Sequence, residues 1–477
     1  MRLRGIVLFR SLPSAAALAG LLACAACSSE SWPAAAPRPN LIVLCVDTLR
    51  ADHLGAYGYA RDTAPFVAEL ARTGTLFADA HAHSNWTVPA TASLLTSLYP
   101  SEHGAGIAGE VRLLADDSPV HQIRAGVETL ATRLRRAGFR TGLFSGNPYL
   151  YGRFQDGFDA ADVGRKNAAE LTAAALRWLA EKPGEPFFLY LQYMDLHQPV
   201  EPPEPFFDLF PVRAGGARGR EHGDWSFTGL ASPRDLEDPA FLRFRAHRTA
   251  LYDGALRFVD DEIRRLYGWL AEAGAARNTL VVVTSDHGEE FWDHALDERA
   301  GGRDPRGSWG VGHGHSMYEE LLRAALVFHG PGIARGRRVD CPVRHVDVMP
   351  TVLALLGLPP PSGARGRSLV PLLSGDAGSC AAAPLVAESP AYGPDSKAVI
   401  SEGHKLIVRS RGGPLLFDLR ADPGEHRNLA ETDPRLEARL RAILRRELNG
   451  AAGAAPSAAL EIDEKTRSEL RALGYLR

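Results

Sequence analysis

The sequence predicts an α/β protein with a mostly parallel central sheet sandwiched by helices, followed by a smaller C-terminal α+β lobe. Three observations carry this expectation. Continuous apolar runs at Asn40–Val46, Phe187–Met194 and Thr279–Thr284, with a weaker one at Ala324–Phe328, have the pattern of strands buried on both faces. Helical stripes lie between them: Leu171, Ala174, Ala175, Trp178 and Leu179 in one, and Leu251, Ala255, Phe258, Val259, Ile263, Leu266 and Leu270 in another. Strands that alternate with amphipathic helices build a sheet covered on both sides. From about Pro384 the texture changes to short strand-like pieces, Lys405–Arg409 and Leu415–Leu419, and then a helix over Pro434–Leu448.

Residues 1–29 read as an export signal. Arg2, Arg4 and Arg10 make a basic start, and Leu12 to Ala26 is apolar and rich in small residues but short for a membrane span. Leu21-Leu22-Ala23-Cys24 resembles a bacterial lipoprotein cleavage box, with Cys27 a second candidate. The mature protein is therefore expected at the periplasmic face or cell surface, lipid-anchored at Cys24 or Cys27. Residues 30–38 form a Pro/Ala/Ser linker, 39–380 the main domain, 381–448 the smaller lobe, and 449–477 a linker with a terminal helix. Arg213–Arg220 and Leu296–Ser308, rich in Gly, Arg and Asp, read as exposed loops. The 5 cysteines include Cys45 inside an apolar run, where it serves as a small hydrophobe. Cys341 and Cys380 are free to pair in an oxidising compartment, but spacing does not decide whether they meet.

The chain has 477 residues, 45% of them hydrophobic and 23% charged, which excludes a largely disordered protein. A formal net charge of -3 gives no reason to expect nucleic acid or an anionic membrane surface as a partner. Chemistry has to come from local motifs, and three stand out. Asp47 ends the first buried run, and ligands of parallel sheets bind beyond the carboxyl ends of strands. Thr87 opens a stretch read as an amphipathic helix (Ala92, Leu94, Leu95, Leu98), with Pro89 in the first turn. A hydroxyl there sees the positive end of the helix dipole, which favours an alkoxide and an incoming anion. Asp286 and His287 leave the third buried run just before Gly288, an arrangement that offers two ligands to one divalent ion. Together these residues give one cation two carboxylates, an imidazole and a hydroxyl. Metal coordination is what makes a threonine nucleophilic near neutral pH.

The segments also resemble, in order, those of the sulfatase family within the alkaline phosphatase superfamily. Pro39 through Asp47 to Gly55 is similar to the family's opening strand, and Trp86 to Pro100 to its nucleophile helix. Ser285–Glu289 followed by Gly312–Glu320 resembles the second metal strand and the substrate loop beyond it. Phe417–Leu429 is similar to a characteristic C-terminal segment. The resemblance implies an alkaline-phosphatase-like fold, with Asp47, Asp286 and His287 as ligands of one divalent metal ion (Ca²⁺, Zn²⁺ or Mn²⁺) and Thr87 as metal-bound nucleophile. It further implies that His197 and His313 contact the substrate anion or assist the leaving group, with His315 an adjacent substrate-binding alternative. Asn147 and His294 lie in family-like contexts without an assigned role, and Arg50 suits either an anion contact or an ion pair.

The sequence departs from the family's Cys/Ser-x-Pro-x-Arg maturation motif, having Thr87 in the first position and Thr91 in the last. Formylglycine is not expected. A formylglycine hydrate expels sulfate by eliminating to the aldehyde; threonine has no such route, so its covalent adduct must be cleaved by water or another acceptor. Thr48 also replaces a second carboxylate often found after the first strand. The expected activity is hydrolysis of a small anionic phosphate or phosphonate ester, lipid- or glycan-attached, through Thr87. Sulfuric-ester hydrolysis by another route, phospho-group transfer to an acceptor, and a non-catalytic binding role are the alternatives.

Overall fold

The apolar runs pair as the central sheet of the computed structural model, which describes residues 38–107, 111–112, 119–212, 236–300, 310–376, 380, 383–449, 457–473 and 475. The expected export signal with Cys24 and Cys27, the linker up to residue 37, the loop at 213–220, residues 301–308 and residues 450–456 lie outside the described residues. Strands β1 (Asn40–Val46), β2 (Thr75–His81), β3 (Arg140–Ser145), β4 (Ala160–Val163), β5 (Phe187–Tyr193), β6 (Thr279–Ser285), β7 (Arg323–His329), β8 (Arg337–Val339) and β9 (Val343–Arg344) form one nine-stranded sheet. Its order is β8-β2-β7-β6-β1-β5-β3-β4, with β9 also beside β2. The centre is parallel: β1 runs with both β5 and β6, and β3 with both β5 and β4. β7 is antiparallel to β6 and β2, so the weak run at Ala324–Phe328 is a full strand that reverses direction. Strands β2 and β3 escape a periodicity reading because polar residues interrupt both (Asp79 in one, Arg140, Thr141 and Ser145 in the other).

Alternation along β1, β5 and β6 sorts the core into two layers. Leu41, Val43, Cys45, Phe188, Tyr190, Leu280 and Val282 face one side; Ile42, Leu44, Val46, Leu189, Leu191, Val281 and Val283 face the other. The second face is covered by helices α2 (Ala168–Glu181) and α3 (Pro239–Glu272), which carry the predicted stripes. Asn167 caps α2, accepting from the Glu170 amide at 3.0 Å while Glu170 accepts from the Asn167 amide at 2.9 Å. The first face is covered by α1 (Thr87–Thr96), among others. Here the structure corrects the amphipathic reading, because all ten α1 residues are buried. The helix is enclosed, so its Thr and Ser hydroxyls lie inside the protein.

The C-terminal strands β10 (Leu385–Ala387), β11 (Ser396–Ser401), β12 (His404–Arg409) and β13 (Leu415–Asp418) make an antiparallel four-stranded sheet. Helix α4 (Pro434–Leu448) packs on it through Leu440 and Leu444. A short α5 (Glu464–Ala472), capped by Asp463, buries Leu470 against the first face of the main sheet. Cys341 and Cys380 form a disulfide. Among the described residues no helix is long and apolar enough to cross a membrane.

The two sheets meet at a buried charge. Lys405 of β12 is fully enclosed, with Nζ 3.0 Å from both Glu319 Oε1 and Glu425 Oε1, and Glu319 Oε2 lies 2.8 Å from His81 Nε2 on β2. Removing one partner of such a group strands the others without compensation. Lys405→Met, which keeps most of the aliphatic stem, is expected to lower unfolding stability by about 3–5 kcal/mol in urea titrations.

Candidate active site

The parallel register places the two aspartates. Val46 pairs with Ser285, so the next residues, Asp47 and Asp286, leave neighbouring strands at one level, about 4.8 Å apart by ordinary strand spacing. They project from the face that carries Val43 and Cys45. Cys45 pairs with Gln192 of β5, which lays an amide beside both carboxylates: Gln192 Nε2 donates to Asp47 Oδ2 at 2.9 Å and Asp286 Oδ2 at 3.3 Å. Asn147, just past β3, donates to Asp47 Oδ2 at 3.3 Å. Thr48 has a left-handed backbone (φ 58°), and its amide donates to Asp286 Oδ1 at 3.3 Å.

Thr87 reaches this pair from above. Trp86 is extended, its indole donating to the Ser389 carbonyl at 2.7 Å, and Thr87 begins α1 as the first helical residue. Its Oγ1 lies 3.2 Å from Asp47 Oδ2 and 3.4 Å from His287 Nε2. The His287 Nδ1 faces the Gly288 carbonyl at 2.9 Å, a contact that requires the proton on Nδ1 and leaves Nε2 as a lone-pair donor toward the centre. That nitrogen is 3.6 Å from Asp286 Oδ2 and 3.8 Å from Asp47 Oδ1. Burial pushes the His287 ring down to about 4, so it is neutral at pH 7.

These groups fit a divalent cation. Asp47, Asp286 and His287 each offer one ligand atom within 4.8 Å of the others, and all three are buried. Burial, and then the charge of Asp47, push the Asp286 carboxyl well above the usual carboxylate range. Asp47 Oδ1 is enclosed with no hydrogen-bond partner among the described residues. Two enclosed carboxylates, a neutral imidazole and a hydroxyl make an oxygen-rich, partly nitrogenous donor set suited to such an ion.

Two predicted histidines border the cluster. The His313 ring centroid is 4.5 Å from that of His287 and 4.9 Å from that of His197, and Glu289 Oε2 lies 3.1 Å from its Nδ1. His197 turns Nδ1 to the Gln198 carbonyl at 2.7 Å, while its buried Nε2 has no hydrogen-bond partner among the described residues. His315 is held elsewhere, its Nε2 2.7 Å from Glu290 Oε2. Arg50 makes ion pairs, at 2.8 Å with Asp52 and 2.7 Å with Asp293. His294 stacks on Tyr318 and sits 2.7 Å from Glu320, which helps hold its ring up at about 9.

Sequence reasoning missed Gln192 and Tyr475. Gln192 had a faint signal, a lone amide inside the apolar run Phe187–Met194. Tyr475 had none, yet its hydroxyl lies 3.4 Å from Thr87 Oγ1.

The profile described as Sulfatase matches residues 39–358, two thirds of the chain. The chain belongs to the sulfatase family. A protein named Sulfatase from Formosa agariphila is 24% identical over 444 residues, covering 82% of this chain and 83% of the relative. A multifunctional alkaline phosphatase superfamily protein from Trinickia caryophylli is 27% identical over 512 residues, covering 86% of this chain and 95% of the relative. Among solved structures, the phosphonate monoester hydrolase of Agrobacterium radiobacter superposes with a TM-score of 0.66 at 22% identity, covering 87% of this chain and 96% of that one. The fold is thus that of the family, and the chain is a sulfatase-family ester hydrolase.

In this family member the repulsion between Asp47 and Asp286 gives a thermal test. A divalent ion supplied at about 100 times its Kd is expected to stabilise the wild type by about 2.7 kcal/mol. After chelation, Asp286→Asn should melt at or above the chelated wild type, and adding the ion back should raise only the wild-type melting temperature.

Proposed function

We propose that this chain hydrolyses a phosphate monoester, phosphate diester or phosphonate ester through a covalent Thr87 intermediate. The observation that carries the reading is the placement of Thr87 Oγ1: enclosed, at the first residue of α1, 3.2 Å from Asp47 Oδ2 and 3.4 Å from His287 Nε2. Asp47, Asp286, His287 and Thr87 would hold one divalent cation (Ca²⁺, Zn²⁺ or Mn²⁺). An ion held there would lower the pKa of the hydroxyl and would neutralise charge on the transferred group.

Thr87 Oγ1 attacks phosphorus, forming one P–O bond as the ester P–O bond breaks. Burial holds His197 below its ordinary pKa in the free enzyme, and an anionic ester beside the ring raises it, so His197 carries a proton to the leaving oxygen. His313, oriented by Glu289, borders the same group. Water then attacks the phosphorus of the adduct, giving a proton to His197 as the bond to Thr87 breaks; besides the alcohol (or phenol), a phosphate monoester yields phosphate, a phosphate diester yields a phosphate monoester, and a phosphonate ester yields a phosphonate. Thr87 has a single oxygen on Cβ, so elimination to an aldehyde is closed to it and the second attack is required. The relative described as a multifunctional alkaline phosphatase superfamily protein accords with a substrate range not confined to sulfate esters.

Sulfuric-ester hydrolysis is the second reading, favoured by the family profile and the Formosa agariphila relative. We also place the protein outside the cytoplasm, acting on a small anionic ester attached to a lipid or glycan; the Cys341–Cys380 disulfide accords with an oxidising compartment.

Intact-mass analysis of the Thr87 peptide after rapid quenching with an aryl phosphate should show a phosphoryl adduct. Thr87→Ala should lack the adduct and lose at least ~10³-fold in kcat/KM. Efficient turnover of aryl sulfate with an unmodified Thr87, and none of phosphate or phosphonate esters, would overturn the proposal.

A further inference from the structure

The chain's last described residue stands beside its candidate nucleophile. Leu470 of α5 and Leu473 just beyond it are buried in the core against the main sheet, and the Tyr475 amide donates to the Leu470 carbonyl at 3.0 Å. This anchor sets the phenol among the site residues: its ring centroid is 5.0 Å from Tyr149, 4.9 Å from His197 and 6.2 Å from His313, and its oxygen is 3.4 Å from Thr87 Oγ1. Tyr475 is 3% exposed and Thr87 is fully enclosed, so the C-terminal segment helps wall the site off from solvent.

A phenol suits this position because it is neutral, can donate one hydrogen bond, and is held rigidly by its ring. A tetrahedral group bonded to Thr87 Oγ1 projects its remaining oxygens outward into the shell where the phenol oxygen lies. Two further polar atoms of the neighbourhood, His197 Nε2 and the Tyr149 hydroxyl, are enclosed without a hydrogen-bond partner among the described residues. Buried polar groups left in this state mark a place where polar ligand atoms belong.

We propose that Tyr475 is a substrate-binding residue, its hydroxyl donating a hydrogen bond to an outer oxygen of the tetrahedral anion held at Thr87. The assignment rests on Thr87 being the residue that receives the transferred group. It makes the C-terminal segment part of the substrate pocket. Phosphate and sulfate share the chemistry that such a donor reads.

The test uses the full-length, metal-loaded enzyme, with inorganic orthophosphate and sulfate as calorimetric probes and an aryl ester for kinetics. Tyr475→Phe keeps the ring contacts with Tyr149 and His197 and removes only the donor. It is expected to weaken binding of the better anion about 10-fold or more, as for a lost hydrogen bond to a charged group, and to raise KM alongside, with the melting temperature unchanged. Tyr475→Ala should weaken anion binding at least as much. Unchanged affinity in Tyr475→Phe, tighter binding or faster turnover in Tyr475→Ala, or no binding of either anion by the wild type overturns the proposal. The outcomes separate it from the proposed reaction: a Thr87 phosphoryl adduct with an unaltered Tyr475→Phe enzyme defeats the Tyr475 role alone. Weakened anion binding in an enzyme that turns over only sulfate esters defeats the phosphate preference alone.

Discussion

Two carboxylates side by side in a dry interior are the constraint around which this structure is arranged. Asp47 and Asp286 are brought together by strand register, and neither can move away without breaking the central ladder between β1 and β6. The surroundings answer the repulsion with neutral donors: the amides of Gln192 and Asn147, the backbone N–H groups of Thr48 and His287, and the hydroxyl of Thr87. None of these carries a full positive charge. Cationic side chains nearby are engaged elsewhere, Arg50 with Asp52 and Asp293, and Lys405 with Glu319 and Glu425. The centre therefore keeps a demand for positive charge, which a divalent ion held by Asp47, Asp286 and His287 would meet.

Legibility in the sequence followed the distance between cause and effect. The buried strands and the α2 and α3 stripes were readable because local periodicity alone determines them. Asp47 and Asp286 were readable for a related reason: a carboxylate ending an apolar run is incongruous wherever the run folds. Thr87 was readable through Pro89 and the helix start, but the burial of α1 on every side was not, because short side chains such as Ala92 and Ser93 do not announce what packs over them. His313 and His315 show the limit most clearly. They sit two residues apart, each following a glycine with positive φ (Gly312 at 89°, Gly314 at 85°), and these turns send the two rings to Glu289 and Glu290 respectively. A sequence pattern names both histidines and cannot tell which faces the cluster. Tyr475 lies 388 residues from Thr87, beyond the reach of any local rule.

The histidines and tyrosines around the cluster differ in character from the residues beneath it. Those below are fixed by the sheet, while His197, His313, Tyr149 and Tyr475 come from connections and from the end of the chain. Their rings touch edge to face or tilted, with centroids 4.9–5.0 Å apart for His197–His313, His197–Tyr475 and Tyr149–Tyr475. Such contacts hold orientation without demanding one side-chain identity.

The strand-end position of the two aspartates also bears on how such an enzyme diversifies. Their separation is a ruler made of backbone hydrogen bonds, and a one-residue slip of β1 would turn Asp47 to the opposite face and erase the centre at a stroke. Lengthening or rewriting the connections leaves that ruler untouched. Inheritance can thus explore new molecules to cleave by remodelling the rim while the floor is copied faithfully, which is how a lineage can drift far in sequence and still keep one reactive core.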